Sequence, residues 1–178
     1  MKINILSPYR RGGPYQWSED LAGALNKNGI RARHVHTLPE LLASPFFQDC
    51  DIVHATVPIP FSLWKKPIVL TMHGDYRRER NVWSRFYPLA IKQADLITVP
   101  SEFLKRELGL EKAVVIPNAV AADRFAEGKQ FHQRHPKFVT VTNFNFEGKA
   151  KGVEILIEIL EQFRRKNNTD CSFTIVGG

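Results

Sequence analysis

Residues 7–17 read SPYRRGGPYQW: two arginines, two glycines and two prolines between an apolar run and a helical pattern. That combination suits an anion. Glycine lets the backbone approach a phosphate closely and turn its N–H groups toward it. The N-terminus of the following helix adds favourable potential. Arg10 and Arg11 bring guanidinium groups, which pair well with phosphate oxygens. An ordinary tight turn explains Gly12 and Gly13 equally well, and the two arginines favour the anion. The segment is neither the dinucleotide pattern G-x-G-x-x-G nor a Walker loop, which needs a lysine.

A second candidate is His73 in LTMHGDY, residues 70–76. It follows an apolar run and precedes a glycine. In a parallel sheet that is the carboxyl edge, where ligands bind, so His73 reads as a polar ligand contact. A plain loop histidine is the alternative. His54 lies inside an apolar run and reads as a core histidine with its hydrogen bonds met. His34 and His36 read as a strand's polar face, and His132 and His135 fall in a polar connection. No serine, histidine and aspartate are ordered to build a nucleophile. Asp75 and Glu102 read as caps or surface charges. No Cys/His spacing suggests a metal site. Cys50 and Cys171 stand apart in apolar contexts and read as buried free thiols, which points to a reducing cytoplasm.

The elements that position these residues alternate. Strand patterns are expected at residues 2–7, 31–38, 51–57, 66–73, 95–100 and 112–118. Helices are expected at 17–29, with Trp17, Leu21, Ala24 and Leu25 on one face and Gly29 as the stop, and at 39–44, 80–94 and 101–108. Pro88 should kink or break the third helix, and Ser101 should cap the fourth. Strand–helix alternation of this kind builds a parallel α/β sheet. Residues 121–136 are polar, lack periodicity and read as a linker. From 137 the pattern restarts as one strand–helix–strand unit, with Val153, Leu156, Ile157, Leu160 and Phe163 as the helix's apolar stripe. One such unit is a poor domain alone, because a parallel sheet needs cover on both faces. The expected division is 1–120 as a Rossmann-like domain, 121–136 as linker and 137–178 as the truncated start of a second domain.

The net charge is +7, which asks for an anionic partner. The charge is scattered and no nucleic-acid motif is present, so nucleic acid is not expected. The stretch DYRRERNVWSRFY, residues 75–87, could rest on anionic lipid with Trp83, Phe86 and Tyr87 as anchors. An amphipathic helix packed on the sheet is the alternative. An unprotected strand edge in the second unit would allow a homodimer.

Read in order, the Gly-Gly loop, LAGALNKNG, DIVHA, VLTMHGD, ADLITVPSEFLKREL, VVIPNAV, VTNFNFEGKAKGVEILIEIL and FTIVGG resemble a known family. It is the family-four (group 1) glycosyltransferases of the GT-B fold. The likeness spans the N-terminal domain and the opening unit of the C-terminal domain. It implies a Rossmann-like parallel sheet, an acceptor-side N-terminal domain and a nucleotide-sugar-binding C-terminal domain. It implies that Gly12, Gly13 and Lys151 contact the donor diphosphate and that His73 lies beside the transferred sugar as the catalytic contact. The donor would be a UDP- or GDP-sugar, with no further cofactor and no metal. The acceptor would be a glycan or lipid-linked sugar of polysaccharide biosynthesis, handled in the cytoplasm or peripherally at the inner membrane face. Transfer would retain the anomeric configuration, and the departing phosphate oxygen would deprotonate the acceptor.

Three features depart from the family pattern. Asn143 stands where an arginine is common, with Lys149 as a substitute cation. Ala119 and Ala121 replace a glycine and an aspartate. The family's E-x7-E motif would lie after residue 178, which implies a fragment inactive alone. A non-catalytic nucleotide- or glycan-binding module, or one half of a split transferase, is the alternative.

Overall fold

The computed structural model describes residues 1–7, 12–43, 45–46, 49–58, 65–78, 82–119, 136–142 and 147–177, with the side chains of 82, 83 and 147 excepted. The chain forms two compact units, Met1–Val120 and Ala121–Gly178. Most of the expected linker lies outside the described residues.

The first unit is a six-stranded parallel sheet flanked by helices, an α/β Rossmann-like architecture. Its strands are β1 (Lys2–Leu6), β2 (Arg31–Val35), β3 (Ile52–Ala55), β4 (Ile68–Thr71), β5 (Leu96–Val99) and β6 (Val114–Val115). They lie in the order β2-β1-β3-β4-β5-β6. The central strands read as apolar runs because both faces are covered. Ile5, Leu6, Val53, Leu70, Met72 and Val99 are fully or almost fully buried. Each such side chain contributes about 1.5–3 kcal/mol by leaving water. β2 is an edge strand and alternates exposed Arg31 and Arg33 with Ala32 and His34.

Helix α1 (Gly13–Lys27) starts earlier than the apolar pattern suggests, because Pro14 occupies its first turn, where a missing N–H costs nothing. Gly29, at φ 77°, follows its C-cap Asn28. Its buried residues are Ser18 and Ala22, while Ala24 is exposed. The small side chains make the close approach to the sheet, and Leu21 and Leu25 flank them against Ile3 and Ile5. Helix α2 spans Leu38–Ala43. Pro88 sits in the first turn of α3 (Tyr87–Gln93), directly after a 3-10 turn at Val82–Phe86, so it breaks the segment rather than kinking it. In α4 (Glu102–Leu108), Ser101 caps the start by accepting from Leu104 N at 3.2 Å.

The second unit holds β7 (Lys137–Val141), α5 (Glu147–Asn167) and β8 (Ser172–Val176), with β7 and β8 parallel along their full length. Val153 and Leu160 of α5 are buried, and Phe163 meets Phe138 at 6.0 Å. Leu156 and Ile157 are more open. Val139 and Val141 on alternate positions of β7 are exposed.

Candidate functional site at the carboxyl edge

Neighbouring strands of the first sheet end side by side on polar residues. Ser7 follows β1, Thr56 follows β3, Thr71 ends β4 and Thr98 lies in β5. Helix α1 lies over these ends. Ser18 Oγ donates to Pro14 O at 2.7 Å and sits 3.4 Å from Thr56 Oγ1, which donates to Leu6 O. Thr71 Oγ1 bridges His54 Nε2 at 2.7 Å and Thr98 Oγ1 at 2.6 Å. His54 is thus anchored to the sheet, as the sequence reading has it.

His73 stands two residues beyond β4. Its Nε2 is shut off from solvent and has no hydrogen-bond partner among the described residues. Ser7 Oγ is in the same position. The indole of Trp17 packs edge-on against both imidazoles, with ring centroids 4.9 Å from His73 and 5.4 Å from His54. Burial lowers the His73 pKa from 6.5 to about 4. Burial, reinforced by the neighbouring His73, also lowers His54 to about 4. Both rings are therefore neutral at pH 7, able to share hydrogen bonds but not to act as cations.

Gly12 forms the N-cap of α1 with φ 108° and ψ 171°, a region open essentially to glycine alone. Among the described residues no side chain caps this helix start, and its first turn carries no acidic residue. A Cβ on Gly12 or Gly13 would meet nothing within 4 Å. The first-turn N–H groups of Gly13 and Tyr15 have no acceptor among the described residues. Open space, donors without an acceptor among the described residues and the positive end of a helix together suit an anion. Arg10 and Arg11 lie outside the described residues.

The structure adds groups that sequence reasoning passed over. Trp17 reads in the sequence only as a packing residue. Tyr15 sits against His34 and His36 at 4.9 and 5.4 Å, so α1 rests one aromatic on each of two histidine pairs. His34 is pushed down by burial first and by His36 second, against the opposing carboxylates of Glu19 and Glu40. The visible signal was an aromatic at each of two alternate positions after Gly-Gly.

Lys149 and Lys151 lie in the first turns of α5, in the second unit. Two positions apart on a helix, they leave on different sides, so Lys149 is poorly placed to double for Lys151 on one small anion. Arg77 holds Asp75 through two bonds and donates to Glu107 O at 2.7 Å, and Arg78 pairs with Asp75 and Glu107. These arginines are largely neutralised within the fold. Tyr87 is buried and stacks on Tyr76 at 4.9 Å, so it is not available as a membrane anchor.

The model of Glycosyltransferase Family 4 matches residues 3–124. The chain belongs to glycosyltransferase family 4. No curated protein matches it. The family match covers every strand of the first sheet, including the Gly-Gly start of α1 and His73. This glycosyltransferase therefore works on a sugar donor and an acceptor in general terms. Among the described residues no helix is long and apolar enough to cross a membrane. Among them, too, no cluster of three or more His, Cys, Asp or Glu could hold a metal ion.

Proposed function

We propose that the chain is the acceptor-side part of a retaining glycosyltransferase that uses a UDP- or GDP-sugar. The observation that carries this reading is His73 Nε2, a buried acceptor or donor without a partner among the described residues, packed against Trp17 of α1, whose start carries no cap from Gly12. Buried polar atoms are almost always bonded. A sugar hydroxyl would satisfy Nε2, while the N–H groups after Gly12 and Gly13 take the diphosphate. By the family resemblance Lys151 also contacts the diphosphate, and Arg10 and Arg11 are further anion contacts in the same reading. The bond from the anomeric carbon to phosphate breaks and a bond to the acceptor oxygen forms on the same face. The acceptor's proton goes to the departing phosphate oxygen. Stabilising charge on that phosphate is then the main catalytic contribution, and a protein carboxylate base is not required.

A glycan or lipid-linked sugar is the acceptor in this reading. Calorimetric titration of the full chain with UDP, GDP and inorganic pyrophosphate tests the reading. Binding of one nucleoside diphosphate above pyrophosphate supports it, and binding of none overturns it. Where donor is consumed, proton NMR of the first-formed product must show the donor's own anomeric configuration. The opposite anomer removes the retaining mechanism. Nucleotide binding without any transfer, even with acceptor present, favours the non-catalytic module.

A further inference from the structure

We infer that Trp17 and His54 are positioning residues for His73, the indole closing His73 off from water and His54 serving as the wall anchored to the sheet. The inference rests on the proposed role of His73, and it identifies what makes that histidine usable. Three observations carry it. First, one indole touches two imidazoles from different strands, edge-on at 71° to His73 and 73° to His54. An edge-on contact directs the positive ring edge of one aromatic at the π face of another, which favours one orientation over rotation. Second, His54 is itself fixed. Its Nε2 bonds Thr71 Oγ1, and Thr71 bonds Thr98, so three adjacent strands hold it. Third, Trp17 comes from α1, whose N-terminus is the anion site of the proposed function. Ser18, the next residue, ties the same turn back to Pro14 O and sits against Thr56. The helix start that would hold a diphosphate and the ring that orients His73 therefore belong to one element.

The ionisable groups around His73 are consistent with this arrangement. From β3 the facing group is His54, and from α1 it is the uncharged Trp17. From β5 comes Thr98, a hydroxyl. In its own loop the nearest carboxylate, Asp75, is already held by Arg77 and Arg78. Burial, not a charge partner, lowers His73.

The test uses the full chain labelled with ¹⁵N at histidine, with the His73 signal assigned by its loss in His73→Gln. In the wild type, His73 stays neutral down to pH near 4. Trp17→Ala opens the ring to water and moves its midpoint up by about one unit or more toward 6.5. Trp17→Phe keeps an edge-on ring and holds the midpoint within roughly half a unit of wild type. Thr71→Val frees His54 and broadens or shifts its Nε2 signal. A loss of packing alone would lower Tm in all three variants and leave the His73 midpoint where it was. That result overturns the inference, as does an equal midpoint shift in Trp17→Phe and Trp17→Ala. If Trp17→Ala does not fold, Trp17→Leu replaces it with the same expected shift. The readout needs no nucleotide, so a chain that binds no UDP or GDP yet shows these shifts loses the functional reading and keeps the positioning pair.

Discussion

Helices α1 and α4 start in the same place in the fold, just past the carboxyl end of a parallel strand, and they start in opposite ways. α4 is finished. Ser101 caps its N–H groups, Glu102 in the first turn complements the positive end, and Gly109 at φ 65° closes the other end. α1 is unfinished at its N-terminus. Gly12 offers no side chain, the first turn has no acid, and the helix rests on imidazoles through Tyr15 and Trp17. A helix built only for stability resembles α4. What α1 gives up in capping it keeps as unspent positive potential and donors with no acceptor among the described residues, which is what an anion needs.

Acid should separate the two helices most. His54 and His73 each have a folded pKa depressed from 6.5 to about 4. In that window the unfolded chain binds protons and the folded chain does not. Stability is therefore fully present above pH 6.5 and falls as the pH drops toward 4, by on the order of 3 kcal/mol per imidazole. Asp75, lowered chiefly by its hydrogen bond from Arg77, and Glu40, lowered chiefly by Thr37, act in a different window. Their contribution is present above their unfolded values and disappears only as the pH falls through their folded ones. Denaturant titrations at pH 7, 5.5 and 4.5 should show the loss, and the double variant His54→Gln, His73→Gln should flatten it. Amide exchange should show α1 losing protection before α4. Simultaneous loss in both helices would break the comparison.

Gly12 comes next in size. Alanine has room there but cannot comfortably hold φ 108° and ψ 171°. Gly12→Ala should cost about 1–3 kcal/mol of backbone strain. It should also weaken nucleoside diphosphate binding about tenfold or more, by re-aiming the donors that follow it. Gly109→Ala, at the left-handed stop of α4, should cost about 1 kcal/mol and leave binding unchanged. Equal effects on binding would mean that Gly12 acts through stability alone.

Much of this contrast was legible in the residues. The strand–helix alternation fixes a parallel sheet, Ser101 announces its cap, and Gly-Gly before a helical pattern announces an open start. Less legible was anything that depends on which strands become neighbours. Trp17 has the spacing of a packing residue, and only the placement of β3 beside β4 shows that it touches His54 and His73 together. His54 reads as a core histidine and is one, but its bond to Thr71 and through it to Thr98 needs three strands in register. The apolar face of α1 departs from the periodic pattern at Ala24, which is exposed. The close contact with the sheet belongs instead to Ser18 and Ala22, where small size permits approach.

The smallest effects test the capping logic itself. Ser101→Ala removes the acceptor for Leu104 N and should cost about 1 kcal/mol, with no change in anion binding. The reciprocal change at α1 should run the other way. Gly13→Asp places a carboxylate in an acid-free first turn and should raise stability by about 0.5 kcal/mol through the helix dipole. The same charge then competes for the N–H groups and repels a diphosphate, so nucleotide affinity falls while the melting temperature rises. Paired thermal melts and UDP and GDP titrations on the two variants measure both quantities. A Gly13→Asp chain that is more stable and binds as well as wild type would mean that the open start of α1 is not the anion site. A chain that gains stability as it loses binding would show that α1 was left uncapped in favour of its ligand.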